Sequence, residues 1–92
     1  MSVTVYLSGH LKEFSGGTTE VPMIGDYITV GGLLDDLWKQ CPALRDRVLN
    51  EQGEIRQHVN IFLGPLDVKR LEGVHTPITD VELHIFNAVS GG

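Results

Sequence analysis

The sequence predicts an α+β domain, a mixed sheet of about five strands packed on one main helix plus a short second helix. Three observations predict it. Stretches 3–7, 59–63 and 81–85 alternate apolar with other residues, the period of a strand with one buried face. Leu33, Leu34, Leu37 and Trp38 fall at i, i+1, i+4 and i+5, one apolar stripe at helical spacing. A chain of 92 residues has room for a single domain, and its 41% hydrophobic content is enough to fill one modest core.

The elements follow in order. Val3, Val5 and Leu7 alternate with Thr4, Tyr6 and Ser8, giving a first strand. A connection ends in Ser15-Gly16-Gly17, turn chemistry, and stretch 18–24 returns as a second strand in a hairpin with the first. Pro22 has no N–H for a ladder, which places that strand at a sheet edge. Thr29 is the expected N-cap of a helix over 30–40. Gly31 and Gly32 in its first turn each cost up to about 1 kcal/mol relative to Ala, and such a pair can also offer backbone N–H groups to an anion. Asp35 and Lys39 form an expected i,i+4 pair on the polar side, and Pro42 stops the helix.

Stretch 43–50 predicts the short second helix, with Leu44, Val48 and Leu49 apolar and Gly53 beyond it. Stretch 58–63 is a strand with Val59, Ile61 and Leu63 on one face. Gly64-Pro65 turns the chain, 66–68 is a short strand and 69–80 a loop. Stretch 81–89 is the last strand, with Val81, Leu83 and Ile85 facing one way. Residues 1–89 are thus expected to form one domain, followed by a flexible Gly-Gly tail at 90–92. Two hairpin-like halves around a crossover helix let the first and last strands lie parallel in the centre. That is the β-grasp arrangement.

Composition removes several classes of function. The net charge is −5, and the seven basic residues are scattered, with only Lys69 and Arg70 adjacent. Nucleic-acid binding needs clustered Lys and Arg, so it is not expected. No apolar run nears the roughly 18 residues that span a bilayer, and the opening stretch alternates like a strand rather than a signal peptide. Cys41 is the single cysteine and rules out an internal disulfide. These features lead to the expectation of a soluble, cytoplasmic protein.

The polar residues suggest no catalytic centre. Cys41 lacks a CxxC partner and reads as a structural thiol. Asp35-Asp36 reads as a solvated helix face. His58 and His84 fall on neighbouring strands, but zinc usually takes at least three protein ligands. His10 and His75 sit in loops without a partner nearby in sequence. With no nucleophile–base set and no phosphate loop, the chain is expected to be neither an enzyme nor the holder of a metal or cofactor.

Strand alternation yields one more feature. If Val59, Ile61, Leu63, Leu83 and Ile85 face the helix, then Tyr6, His58, Phe62, His84 and Phe86 face outward. Tyr6, Phe62 and Phe86 are then expected to form an exposed aromatic patch leading toward the chain end. A contiguous patch of this kind is more often a partner site than scattered apolar residues are.

The C-terminal run Phe86-Asn87-Ala88-Val89-Ser90-Gly91-Gly92 resembles the end of MoaD/ThiS-type ubiquitin-like sulfur carriers. So does the stretch from Pro42-Ala43-Leu44-Arg45 through Gly53-Glu54-Ile55 into His58-Val59-Asn60-Ile61. Archaeal ubiquitin-like modifier proteins, and bacterial carriers that deliver sulfur for cysteine synthesis, have similar stretches. Two features differ. Many members have a proline pair where this chain has Asn87-Ala88, and Asp-Gly-Asp where it has Thr79-Asp80 before Val81.

The resemblance implies a co-substrate. A ubiquitin-activating-type enzyme, using its own ATP, would adenylate the carboxylate of Gly92, and sulfur transfer would convert it to a thiocarboxylate. Glycines suit this physically. A chain end without side chains can thread a narrow channel to the nucleotide, where a Cβ at Gly91 or Gly92 would add bulk. The partner-binding residues implied are Tyr6, Phe62, His84 and Phe86, with Val89 and Ser90 carrying the surface onto the tail. The inserted second helix makes the MoaD likeness the nearest, so the first expected acceptor is a molybdopterin-synthase large subunit. Cysteine synthesis, thiamine synthesis and tRNA thiolation stay open. The same tail would also serve a protein modifier joined to lysines through Gly92, and a plain interaction module would have no use for it.

Overall fold

The computed structural model describes residues 2–87. The end of the expected last strand and the tail at 90–92 therefore lie outside the described residues.

Five strands are present: β1 (Ser2–Leu7), β2 (Glu20–Ile24), β3 (Val59–Leu63), β4 (Leu66–Asp67) and β5 (Glu82–Asn87). They form one sheet in the order β2-β1-β5-β3-β4. β1 runs parallel to β5 at its centre, with Val5 opposite Leu83 and Leu7 opposite Ile85. The pairs β1–β2, β3–β5 and β3–β4 are antiparallel. The β-grasp topology expected from the sequence is present, and Pro22 sits on an edge strand as its missing N–H requires.

One face of the sheet is covered by α1 (Val30–Gln40) and α2 (Pro42–Val48). Val3, Val5, Leu7, Val59, Ile61, Leu63, Leu83 and Ile85 point inward to meet Leu33, Leu34 and Leu37 of α1 and Leu44 and Val48 of α2, all buried. Thr29 caps α1, its Oγ1 accepting from the Gly32 amide at 3.1 Å. That bond takes one N–H of the glycine pair. Its neighbour Gly31 has a packing role, since a Cβ there would meet the Val74 carbonyl oxygen at 3.0 Å. Pro42 both follows the end of α1 and opens α2 at a first-turn position, where its missing N–H costs nothing.

The structure differs from expectation at several points. The connection after β1 is a 3-10 helix, Gly9–Ser15, which buries Leu11 completely. β5 begins at Glu82, so Val81 precedes the ladder and is 54% exposed instead of facing the core. Lys39 pairs with Asp36, one residue closer than Asp35, at 3.3 Å. α2 starts and stops earlier than expected, and Leu49 leaves it to bridge Ile55. Val68 belongs to a 3-10 turn, Val68–Arg70, and a second such turn, Gly73–His75, lies within the expected loop. Among the described residues no helix is long and apolar enough to cross a membrane.

Candidate functional site

The uncovered face of the sheet carries the expected aromatic residues. Tyr6 of β1 and Phe62 of β3 both lie opposite His84 of β5. This places the three in one row across the three central strands. The rings of Tyr6 and His84 are stacked, with centroids 4.8 Å apart and planes at 15°. Phe86 sits one step further along β5, opposite Asn60, which makes it the diagonal neighbour of Phe62. Their rings stack at 5.5 Å and 23°. His84 is further steadied by Glu82, whose Oε1 lies 3.1 Å from its Nε2. Tyr6, Phe62, His84 and Phe86 are thus brought together as the alternation predicts. Phe86 is the most open of them, at 37% exposure.

The patch is larger than the sequence suggested. Beside Phe62 the turn after β3 leaves a shallow groove of about 400 Å³, lined by Pro65, Leu66, Asp67, Arg70 and Leu71. Leu66 and Leu71 are about half exposed. Neither has a periodic neighbour to flag it, and only the turn geometry sets them next to Phe62.

His58 does not join His84. It precedes Val59, whose partner on β5 is Asn87, whereas His84 pairs with Phe62. Four residues of strand separate those positions, about 13 Å. Among the described residues no group of three or more His, Cys, Asp or Glu could hold a metal ion. Cys41 is buried, and burial pushes its thiol pKa up, away from the thiolate a nucleophile needs.

His58 instead marks a second feature, at the end of β5. Asn87 closes β5, and its amide donates to Ser8 Oγ at 3.2 Å. Around it lies a depression of about 250 Å³ lined by Asp46, Arg47, Arg56 and His58 as well as Asn87. Two arginines and a histidine, from α2 and from the connection into β3, line it. Asp46 is partly neutralised by Arg45, at 3.2 Å, while its carbonyl accepts from Arg56 Nε at 2.7 Å. The Arg47 guanidinium lies over the Phe14 ring at 4.3 Å. Val89, Ser90, Gly91 and Gly92, the remaining site residues expected from the sequence, lie outside the described residues.

A β-grasp sheet on a helix, bearing an aromatic face beside its last strand, defines a ubiquitin-like protein. Comparison narrows the class. The chain is 32% identical to the sulfur carrier protein CysO of Mycobacterium tuberculosis, over the full length of both. It is 39% identical to small archaeal modifier protein 1 of Haloferax volcanii, over 94% of this chain and 95% of that one. The crystal structure of the latter superposes with a TM-score of 0.83 at 31% identity, covering both chains completely. A chain in the crystal structure of the Amycolatopsis orientalis BexX/CysO complex gives 0.84 at 26% identity, covering 98% of this chain and 99% of that one. No family model matches. The chain belongs to the MoaD/ThiS-type ubiquitin-like family, the family of these sulfur carriers and small archaeal modifiers.

Proposed function

We propose that this protein is a sulfur carrier whose reacting group is the C-terminal carboxylate of Gly92. The likeness to a sulfur carrier over the whole of both chains carries this reading. A ubiquitin-activating-type enzyme docks on the aromatic face formed by Tyr6, Phe62, His84 and Phe86 and takes in the tail from Val89 onward. The Gly92 carboxylate attacks the α-phosphate of ATP, pyrophosphate leaves, and an acyl-adenylate results. A sulfide equivalent then displaces AMP to give the thiocarboxylate, which passes its sulfur to an acceptor enzyme. The protein acts as co-substrate throughout, and the ATP belongs to its partner. The molybdopterin-synthase large subunit stands as one acceptor among several, alongside those of cysteine, thiamine and tRNA thiolation.

The likeness to an archaeal modifier supports a second use of the same end, in which a lysine amine displaces AMP and an isopeptide bond forms. Intact mass from the native host separates the two. Exchange of one oxygen for sulfur at the C-terminus marks the carrier, and Gly-Gly remnants on lysines of other proteins mark the modifier. Deletion of Gly92 tests the shared step. The shortened chain should keep its fold, by circular dichroism, and lose all ATP–pyrophosphate exchange with the host's adenylating enzyme. Continued exchange would overturn the reading.

A further inference from the structure

We infer that the enzyme which takes in the tail presents an acidic rim, and that Arg47, Arg56 and His58 are the residues that engage it. The inference rests on the proposed activation of Gly92 and names the partner's chemistry at that point. The argument begins with reach. The proposed reacting residue, Gly92, stands five positions after Asn87, and an extended chain of that length spans at most about 17 Å. An enzyme that brings Gly92 to a nucleotide inside its own fold must therefore press the mouth of its channel against the surface around Asn87.

That surface has a definite charge. The depression at Asn87 is lined by Arg47, Arg56 and His58, against which stands the single carboxylate of Asp46. Asp46 already pairs with Arg45. Two arginines facing one carboxylate that is already paired leave an excess of positive charge here, in a chain of net charge −5 with scattered basic residues. Its side chains are also held in place. Arg56 is pinned through its Nε to the Asp46 carbonyl and Arg47 through the Phe14 ring, so less side-chain freedom remains to be lost on docking. Carboxylates on the partner's rim would meet these guanidinium groups as the tail enters. Such rim charges act mainly on the rate and register of encounter.

The test is ATP–pyrophosphate exchange by the host's ubiquitin-activating-type enzyme, with KM for this protein measured against salt. For the wild-type chain, KM should rise at least about threefold between about 50 and 300 mM NaCl, as screening weakens exposed pairs. Reversal of both charges, Arg47→Glu with Arg56→Glu, should raise KM by about tenfold or more at low salt and flatten the salt dependence. The singly altered His58→Glu, at an exposed position that makes none of these anchoring contacts, should move KM the same way by less. Lys39→Glu, on α1 beside Asp36, is the net-charge control for each single Arg→Glu variant, which changes the charge by the same two units, and the double variant is compared with Lys39→Glu combined with Lys12→Glu. A wild-type KM indifferent to salt, or a KM in His58→Glu and the arginine variants no higher than in these controls, overturns the acidic rim while the carrier function stands. Absence of any exchange with the wild-type chain overturns both.

Discussion

The amide of Asn87 donates to the hydroxyl of Ser8 at 3.2 Å, joining residues 79 positions apart where β5 meets the end of β1. Ser8 in turn donates its own amide to the Ile85 carbonyl at 3.0 Å. The last strand is thus anchored up to its final residue, Asn87. Replacing Ser8 by Ala leaves the Asn87 amide without this acceptor in a partly buried place. The expected loss is about 1 kcal/mol. Amide exchange at Asn87 should quicken more than at Leu83, and equal acceleration at both would show that the bond has only a global role.

The aromatic face should be separable from the fold. Phe62→Ser with Phe86→Ser removes the stacked pair from a surface that already meets solvent, while the inward-facing Ile61 and Ile85 remain. The variant should unfold cooperatively within about 1–2 kcal/mol of wild type, since half-exposed rings contribute less than buried ones. Its affinity for the activating enzyme should drop at least about tenfold, the scale of losing one interface anchor. Calorimetry or surface-plasmon resonance reads this directly, and unchanged affinity would refute a docking role.

Ile61 lies at the middle of β3, opposite Ile85, and is fully buried. Ile61→Ala should cost about 2–5 kcal/mol, the range for a cavity in a packed core. A urea midpoint shift with an unchanged slope checks it.

Two glycines should respond differently to the same methyl group. Gly64 and Gly53 both have positive φ, at 57° and 79°, where any Cβ is strained. Around Gly53 there is open space, whereas a Cβ at Gly64 would collide with the Asp80 carboxylate. Asp80 is itself held, its Oδ1 accepting from the Glu82 amide at 3.2 Å. Gly53→Ala should therefore cost about 1 kcal/mol and Gly64→Ala distinctly more. Thermal melts that rank them the other way would contradict this geometry.

Tyr27 and Asp36 should titrate as partners. The Tyr27 hydroxyl donates to Asp36 Oδ2 at 2.9 Å. That bond, with help from Lys39, holds the Asp36 carboxyl below its ordinary range, and the same bond raises the Tyr27 phenol. A depressed carboxyl stabilises the folded state above its unfolded value, about pH 3.9, and the contribution fades as pH falls through the folded value. The phenol works in the opposite sense. Its contribution is complete below the unfolded value of about 10 and fades as pH rises through the folded one. Tyr27→Phe should move the Asp36 carboxyl resonance to titrate at higher pH in carbon-detected NMR. An unmoved titration would mean that the bond is absent in solution.

Most of the sheet could be read from the sequence because strand alternation reports directly on burial. Val5, Ile61 and Leu83 take their places by that rule alone, and so do Tyr6, Phe62, His84 and Phe86 on the other side. Pro22 and Thr29 were legible because each has one chemical reason for its position. What escaped has no period. Leu11 is buried from within a 3-10 turn, whose irregular spacing leaves no stripe, and Val81 continues an apolar pattern one residue beyond the ladder that gives it meaning. The choice between Asp35 and Asp36 for Lys39 depends on Tyr27, which a helical wheel does not include. Arg56 and His58 are neighbours in the connection before β3, but Arg47 lies on α2, and nothing in the linear order foretells that the three meet at Asn87.

The placing of β5 between β1 and β3 has a consequence for the protein's birth. β5 is made after every other strand of the sheet, and until it emerges β1 and β3 have no common neighbour to join. Such long-range pairing, of residues 4–7 with 82–85, waits until both strands have been made. A nascent polypeptide cut short before β5 would lack the finished domain. The order of strands thus ties the aromatic face, which spans β1, β5 and β3, to the arrival of β5: a shorter fragment carries its parts without their assembly.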